Sequence, residues 1–296
     1  MPRTNTINCP NATSPVNISM DSIMGPCVLK CDYNYNYGDY VPNISNNKSY
    51  LSLNYSGKMN PVKYNDDNYN VQEIRIYHPS LHTYNGARAA GEMFIIHNGP
   101  GKNLIVSIPI VVGGKTNKGS VLLASVISEA AQRIPNDGES VTLSMGNFSL
   151  DTFIPDNKGY FSYTGTLPYE PCNGTYNYVV YNIDDALNVP LDNMNQLKDI
   201  ISSTICLVKT NNNTFYNKNG ANAKNNSDEI FIDCQPVNSE GELLVNMNDS
   251  KESKYTTPEV DFEKISPYLY VIIGAIAAYG IVYAAKTLFT KLRKAE

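Results

Sequence analysis

Three histidines are the residues of this sequence whose type and spacing most directly suggest chemistry. His78, His82 and His97 are the only histidines in the chain, and all three lie within residues 71–98. A catalytic zinc ion needs three nitrogen or oxygen ligands that converge on one point, with a fourth position open to water. The cluster therefore raises a metal-site hypothesis, which depends on whether the three imidazoles converge.

The segments around the histidines alternate apolar and polar residues as β-strands do. Residues 71–77 and 92–97 have this period of two, and the Asn85-Gly86 pair between them is a hairpin turn signal. The run at 103–114 is continuously apolar and bounded by glycine, which is typical of a buried strand. These patterns predict adjacent antiparallel strands that carry the histidines.

Two of the histidines also have the spacing of a helical zinc pair. His78 and His82 are four residues apart, but Pro79 and the strand context disfavour a helix there. A structural role for both is therefore favoured over metal ligation.

Helical patterns are confined to two segments. Residues 120–134 and 194–207 have apolar spacings of three and four, and strands are predicted at 141–151 and 176–182. Many strands, two modest helices and no repeat predict a single domain over residues 1–240. The expected class is α/β and strand-dominated, with a large, mainly antiparallel twisted sheet and few short helices.

The charge balance argues against nucleic acid as a partner. The 296 residues carry 23 basic and 28 acidic side chains, for a net charge of −5. Residues 266–296 carry four basic side chains and one acidic side chain, so residues 1–265 have a net charge of about −8. This disfavours generic binding to nucleic acid or to an anionic membrane. A local basic patch is compatible with the same balance.

Cysteines and glycosylation sequons leave the compartment open. An even number of cysteines without a C-x-x-C pair argues against a zinc ribbon and fits either disulfides or reduced thiols. The sequons fit glycosylation, and they also fit chance in a chain so rich in asparagine. The cysteines are Cys9, Cys27, Cys31, Cys172, Cys206 and Cys234. The sequons are at Asn11, Asn17, Asn43, Asn47, Asn54, Asn147, Asn173, Asn212, Asn225 and Asn248.

The end of the chain has the pattern of a membrane anchor. Residues 241–265 are polar and are predicted to form a stalk. Residues 266–286 contain about 19 consecutive uncharged residues, enough for a helix of roughly 28 Å, and the basic tail 287–296 follows. A single-pass transmembrane helix is predicted, with a buried core helix as the alternative.

The orientation of this anchor is predicted from its flanks. The positive-inside rule places the basic tail on the cytoplasmic side and the domain outside. The first residues have no apolar run of a secretory signal peptide, which favours insertion from the cytosol. A virion assembled inside a cell satisfies both, so the predicted location is a virion surface or envelope with the N-terminal domain outward.

Short motifs in a consistent order resemble the α-class carbonic anhydrases over most of residues 9–238. Each motif is weak alone, but their order along the chain is specific. The motifs are SPVNI at 14–18, AAGEMFIIH at 89–97, YTGTL at 163–167, EPC at 170–172 and QPVN at 235–238. The resemblance implies the fold of that family.

The same resemblance implies that the zinc site is lost. Its three zinc-binding histidines correspond to Arg75, Tyr77 and Phe94, and none of these side chains replaces a neutral imidazole. The threonine that orients the zinc-bound hydroxide corresponds to Pro168, and the proton-shuttle histidine falls near Lys58. Neither a metal nor another cofactor is expected, and the chain is predicted not to be an enzyme.

The resemblance also implies structural roles for other residues. His82 is similar to a buried family histidine that shares hydrogen bonds with a glutamate and a tyrosine, here Glu92 and Tyr163. His97 resembles a supporting core histidine. In the extracellular members of the family one disulfide joins the positions of Cys9 and Cys172, and the same disulfide is expected here.

Three function classes follow. The arrangement of an anhydrase-like domain without zinc ligands and a C-terminal anchor is similar to that of the poxvirus virion membrane proteins that bind host glycosaminoglycans. This implies host-cell attachment through a glycan, with Lys58 and Arg75 as candidate ligand-binding residues. The second class is a receptor-like protein that binds a protein, for which the tyrosines of 33–40 are suited. The third is a working hydratase with an unusual metal set.

Overall fold

The chain is represented by a computed structural model, which describes residues 4–27, 31–210 and 213–223. Its elements are mostly short strands, with two helices, α1 (Lys118–Arg133) and α2 (Leu191–Ile200). In chain order the strands are β1 (Thr4–Ile7), β2 (Asn17–Ile18), β3 (Ile23–Pro26), β4 (Tyr33–Tyr35), β5 (Asp39–Tyr40), β6 (Asn43–Asn46), β7 (Leu51–Leu53), β8 (Val62–Tyr64), β9 (Asp67–Tyr77), β10 (Thr83–Tyr84), β11 (Ala87–Arg88), β12 (Gly91–Asn98), β13 (Asn103–Val112), β14 (Ser140–Thr142), β15 (Phe148–Ser149), β16 (Tyr160–Gly165), β17 (Tyr176–Tyr181), β18 (Leu187–Val189), β19 (Ser203–Cys206) and β20 (Thr214–Asn217).

One large sheet of thirteen strands dominates the described residues. Its main path runs β14-β6-β7-β9-β12-β13-β17-β16-β20-β3, with β4, β8 and β18 paired beside this path. Most neighbours are antiparallel, and the parallel pairs are β13 with β17, β13 with β18 and β20 with β3. The strand-dominated, mainly antiparallel sheet predicted from the sequence is therefore confirmed.

Two long central strands, β9 and β12, contribute buried side chains to both faces of the sheet. β9 and β12 pair in antiparallel register, as the alternation predicts. Successive side chains of a strand point to opposite faces, so Ile74 and Ile76 join the apolar cluster that also contains α1 and α2 residues. Tyr77 and Phe94 join a second cluster on the other face. We call these two sides the helix face and the tyrosine face.

Three local predictions are wrong in their extent. The Asn85-Gly86 turn joins β10 to β11, a small hairpin that pairs with β2, and does not join β9 to β12. The strand predicted at 141–151 is interrupted by Gly146, whose φ of +86° is left-handed. The second helix ends at Ile200, because residues 203–206 pair in parallel with β1 and tertiary pairing outweighs local helical spacing.

The first helix agrees with its prediction apart from its start. α1 begins at Lys118, two residues earlier than the periodicity predicts, because the Asn117 side chain accepts a hydrogen bond from the backbone N–H of Ser120. Such a cap satisfies one of the free N–H groups of the first turn.

The predicted stalk 241–265, transmembrane helix 266–286 and basic tail 287–296 lie outside the described residues, as does the QPVN motif at 235–238. Among the residues that the structure does describe, none forms a helix that is both long and apolar enough to cross a membrane.

Candidate functional site

The three positions that the resemblance assigns to zinc ligands, Arg75, Tyr77 and Phe94, lie together on the tyrosine face. Arg75 is directly opposite Phe94 in the register of β9 and β12, and Tyr77 is opposite Glu92. Alternation sends the side chains of Arg75 and Tyr77 to one face, and the rings of Tyr77 and Phe94 are 5.6 Å apart between centroids. The strand register therefore brings these three side chains together on one face.

The guanidinium of Arg75 is bound on several sides. Its Nε donates to Oε2 of Glu73 at 2.7 Å, and its Nη1 donates to Oη of Tyr77 at 3.3 Å. The rings of Tyr50 and Tyr169 lie over it, at 4.3 Å and 4.4 Å from the guanidinium carbon to the ring centroids. Aromatic faces attract a guanidinium through the ring quadrupole. We call Arg75, Glu73, Tyr77, Tyr50 and Tyr169 the arginine cluster.

The protonation states of the arginine cluster follow from burial and charge. Burial alone would lower the pKa of Arg75, but the neighbouring Tyr77 and Tyr169 and the Glu73 carboxylate raise it above its ordinary value. Burial raises the pKa of Tyr77 well above its ordinary value. The guanidinium is therefore charged and the phenol neutral at physiological pH.

Zinc does not fit these residues. Phe94 is fully buried and is a hydrocarbon ring, Tyr77 holds its proton, and Arg75 is a cation already paired with Glu73. A zinc ion requires deprotonated or neutral donor atoms. Across residues 4–27, 31–210 and 213–223, no group of three or more His, Cys, Asp or Glu side chains could hold a metal ion. Pro168 is buried and has no hydroxyl to orient a metal-bound water.

His82 belongs to a buried network that the resemblance implies. Its Nδ1 donates to Oε1 of Glu92 at 2.7 Å, and its Nε2 lies 2.7 Å from Oη of Tyr163. The same Glu92 oxygen accepts from the hydroxyls of Tyr84 and Ser107, at 2.9 and 2.6 Å. The network therefore extends beyond the predicted His82, Glu92 and Tyr163.

The carboxylate of Glu92 is ionised although it is fully buried. Burial alone would raise its pKa, but His82 and the hydrogen bonds from His82 and Ser107 lower the pKa below its ordinary value. Its Oε2 also accepts from the backbone N–H groups of Leu81 and His82, at 2.7 and 3.0 Å. A buried carboxylate with this many donors is a structural anchor rather than a free base.

The other two histidines have separate structural partners. His97 donates from Nδ1 to the carbonyl of Leu104 at 3.2 Å, so its Nε2 accepts from the Tyr37 hydroxyl at 2.9 Å. Burial lowers the pKa of His97 to about 4. Nδ1 of His78 donates to the carbonyl of Ala90 at 3.0 Å.

The three imidazoles therefore do not meet. A register shift in β12 between Ile96 and His97 accompanies the contact of His97 with Tyr37, which belongs to the cluster on the helix face. His82 packs against Phe94 on the tyrosine face. The metal-site hypothesis raised by the three histidines is wrong for this reason.

The two candidate ligand-binding residues have different surroundings. Lys58 is exposed, and its backbone N–H donates to the carbonyl of Tyr37, a residue of the helix-face cluster. Arg75 points to the tyrosine face. Their joint role in ligand binding stays a prediction.

The disulfides agree with the resemblance and add to it. Cys9 pairs with Cys172, as expected, across 163 residues of sequence. Cys27 pairs with Cys31, a bond that the spacing alone did not indicate. Cys206 is free and buried, and Cys234 lies outside the described residues.

Three of the five residues of the arginine cluster, Glu73, Tyr50 and Tyr169, were not predicted from the sequence. Glu73 is two residues before Arg75, so it lies on the same side of the strand, and this spacing could have indicated the pair. Tyr50 and Tyr169 come from distant parts of the chain, and no local pattern marks them.

A family model described as eukaryotic-type carbonic anhydrase matches residues 5–217. Among curated proteins, alpha carbonic anhydrase 7 of Arabidopsis thaliana is 25% identical over 137 residues, covering 45% of this chain and 48% of that protein. Carbonic anhydrase 1 of Oryctolagus cuniculus is 21% identical over 152 residues, covering 46% of this chain and 63% of that protein. The chain thus spans less than two thirds of the length of these relatives.

Solved structures show the same fold. The α-carbonic anhydrase of Photobacterium profundum aligns with a TM-score of 0.59 at 16% identity, over 69% of this chain and 88% of that one. Dioscorin, crystallised with ascorbate, aligns with a TM-score of 0.58 at 19% identity, over 70% of this chain and 86% of that one. At these identities the likeness concerns the fold.

Proposed function

The chain belongs to the eukaryotic-type carbonic anhydrase family, and we propose that it is a zinc-independent binding protein of that family rather than a hydratase. The observation that carries this proposal is the Arg75–Glu73 ion pair at 2.7 Å, held between Tyr50 and Tyr169 where the family's zinc ligands would converge. Without a metal to lower the pKa of water, hydration of carbon dioxide has no nucleophile. A protein that keeps this fold without the hydration chemistry can use its surface to bind a ligand.

The proposed setting is a membrane-anchored surface. The apolar segment 266–286 supplies the anchor, and the domain faces outward from a virion surface or envelope, where it attaches to a host-cell ligand. Two disulfides within the described residues are compatible with exposure to an oxidising environment.

The proposed ligand is a host-surface glycan, and charge limits its kind. Highly sulfated glycosaminoglycans need several converging cations. The charge of Arg75 is already balanced by Glu73, while Lys58 is exposed. The net charge of the body also opposes polyanions, so a weakly charged glycan is favoured over heparin-like chains.

A glycan array screened with the full-length protein at physiological salt tests this function. The wild-type protein is expected to bind specific glycans on the array. A Lys58→Gln/Arg75→Gln variant, screened on the same array, tests whether the predicted ligand-binding pair contributes to that binding. Failure of the wild-type protein to bind any glycan would contradict the proposal.

A protein ligand is the second candidate. The tyrosines of 33–40 do not support it, because Tyr33, Tyr37 and Tyr40 are buried in the core. The observation that favours it is a shallow groove along α1, where Val121 is 58% exposed beside Met145. Cell-surface binding that survives complete enzymatic removal of glycans would select this candidate over the first.

A further inference from the structure

A cleft of about 600 Å³ opens on the helix face, on the opposite side of the sheet from the arginine cluster. Ser162 and Thr164 of β16 line it, and Asn177 of β17 lies opposite Thr164 in the strand register. Tyr163, between the first two, packs its ring in the cluster of the tyrosine face. Because successive side chains of a strand point to opposite faces, this cleft lies on the other side of the sheet from Arg75.

Several residues that line the cleft carry neutral hydrogen-bonding groups. The hydroxyls of Tyr64 and Ser162 are 2.8 Å apart, and both residues are buried. Their mutual bond uses one of two hydroxyl hydrogens, so the accepting hydroxyl keeps a hydrogen to donate. The Thr164 hydroxyl donates to Oδ1 of Asn177 at 3.2 Å, and its lone pairs can accept a further bond.

Apolar side chains lie beside these polar groups. Met24 is 62% exposed and Phe215 is 38% exposed, and both line the cleft beside the Cys27–Cys31 disulfide. Phe215 is the register partner of Ser162 in β16 and β20, so the apolar and polar groups lie side by side, which suits a ligand with one polar edge and one C–H face.

Charged side chains are sparse among the described residues that line the cleft. Lys102 is exposed and is the single charged side chain among the described residues that line the cleft. A lone ammonium group attracts one acidic group and gives no multivalent contact for a polyanion. The volume lies within the range of about 300–1,000 Å³ typical of small-molecule sites.

We propose that this cleft binds a uronic acid unit of a weakly charged glycan. The hydroxyls of the sugar bond to Ser162, Thr164 and Asn177, its C–H face packs on Phe215, and its carboxylate pairs with Lys102. This inference rests on the proposed function, glycan binding, and assigns it to a site remote from Arg75.

Titration calorimetry with the full-length protein tests the assignment. The probe is a hyaluronan tetrasaccharide, which carries one carboxylate per disaccharide, and the neutral comparison is a tetramer of N-acetylglucosamine. Lys102→Gln removes the charge and Thr164→Val the hydroxyl. Both residues are exposed, so the fold is retained. Lys115→Gln, an exposed lysine outside the cleft, is the matched control.

The expected result is that the wild-type protein binds hyaluronan more tightly than the neutral tetramer. Lys102→Gln should weaken hyaluronan binding roughly tenfold, as loss of one charge-assisted bond implies, and Thr164→Val should weaken it several-fold. Lys115→Gln should bind as the wild type does. Hyaluronan binding that is unchanged in both cleft variants would overturn the site and leave the function standing. If the wild-type protein binds other glycans but not hyaluronan, the site is also overturned; if it binds none, the function fails with it.

Discussion

The carboxylate of Glu73 lies 2.7 Å from Nε of Arg75, two positions along the same strand, beside a position that the resemblance assigns to a zinc ligand. Both side chains are largely shielded from solvent, with 23% and 19% exposure. A shielded ion pair between aromatic rings is costly to break, because the remaining partner loses its counter-charge.

Replacing Arg75 should therefore lower stability and should not create a metal site. Arg75→Gln is expected to lower the free energy of unfolding by about 1–3 kcal/mol, since it removes the ion pair and two cation–π contacts. Chemical denaturation checks this. Lys63→Gln, which breaks an exposed ion pair with Asp66, is the control and should leave the midpoint unchanged. Equal effects of the two substitutions would contradict a structural role for the cluster.

Stability should fall as the pH decreases from 6.5 towards 4. Burial lowers the pKa of His97 to about 4, against about 6.5 in an unfolded chain. Between these values the unfolded state binds a proton that the folded state rejects, so acid favours unfolding by up to about 3 kcal/mol. The lowered pKa of Glu92 adds to the loss of stability as the pH falls below about 4.3, the pKa of a glutamate in an unfolded chain, because the folded protein keeps this carboxylate ionised to lower pH.

Unfolding free energies at several pH values, for the wild type and for His97→Gln, test this assignment. Glutamine can both donate to Leu104 and accept from Tyr37 without titrating. The pH dependence should be much reduced in the variant. A slope that persists in His97→Gln would place the titration elsewhere.

Loss of the Glu92 carboxylate should be among the most damaging substitutions. Glu92→Gln leaves a buried site with five hydrogen-bond donors around a neutral amide, and a loss of about 3–5 kcal/mol is expected. Tyr163→Phe removes only the bond to His82, and should cost about 1–3 kcal/mol. A double-mutant cycle between the two positions should show coupling through His82. Additive effects would contradict a connected network.

The Cys9–Cys172 disulfide should stabilise the oxidised protein. Its 163-residue separation restricts the unfolded chain strongly, and Cys9→Ser/Cys172→Ser should lower the free energy of unfolding by about 2–5 kcal/mol. In excess reductant this difference should disappear. Cys206→Ala serves as the control, because that thiol is unpaired. If reduction leaves wild-type stability unchanged, the bond contributes nothing.

Much of the sheet was predictable because it depends on local patterns. The alternation at 71–77 and 92–97 identifies β9 and β12, and the motif order identifies the family before any contact is known. The pairing of Cys9 with Cys172 and the bonds of His82 follow from that resemblance. The interrupted segment near Gly146 and the short second helix depend on a left-handed turn and on pairing with β1, which periodicity does not report.

At the positions that the resemblance assigns to zinc ligands, only the residue types could be predicted. The sequence shows that Arg75, Tyr77 and Phe94 do not offer the imidazole donors of a zinc site, but it does not show which residues contact Arg75. Tyr50 and Tyr169 reach the guanidinium from separate loops, so their contact is a property of the folded chain.

Metal analysis combined with a hydration assay tests whether the protein binds zinc and hydrates carbon dioxide. The full-length protein is equilibrated with zinc, freed of unbound metal, and examined by mass spectrometry for metal content and by stopped-flow for bicarbonate formation. A zinc-independent binding protein should contain substoichiometric zinc and should form bicarbonate at the uncatalysed background rate. One zinc ion per chain, together with hydration above background that a chelator abolishes, would show that the protein is a zinc hydratase.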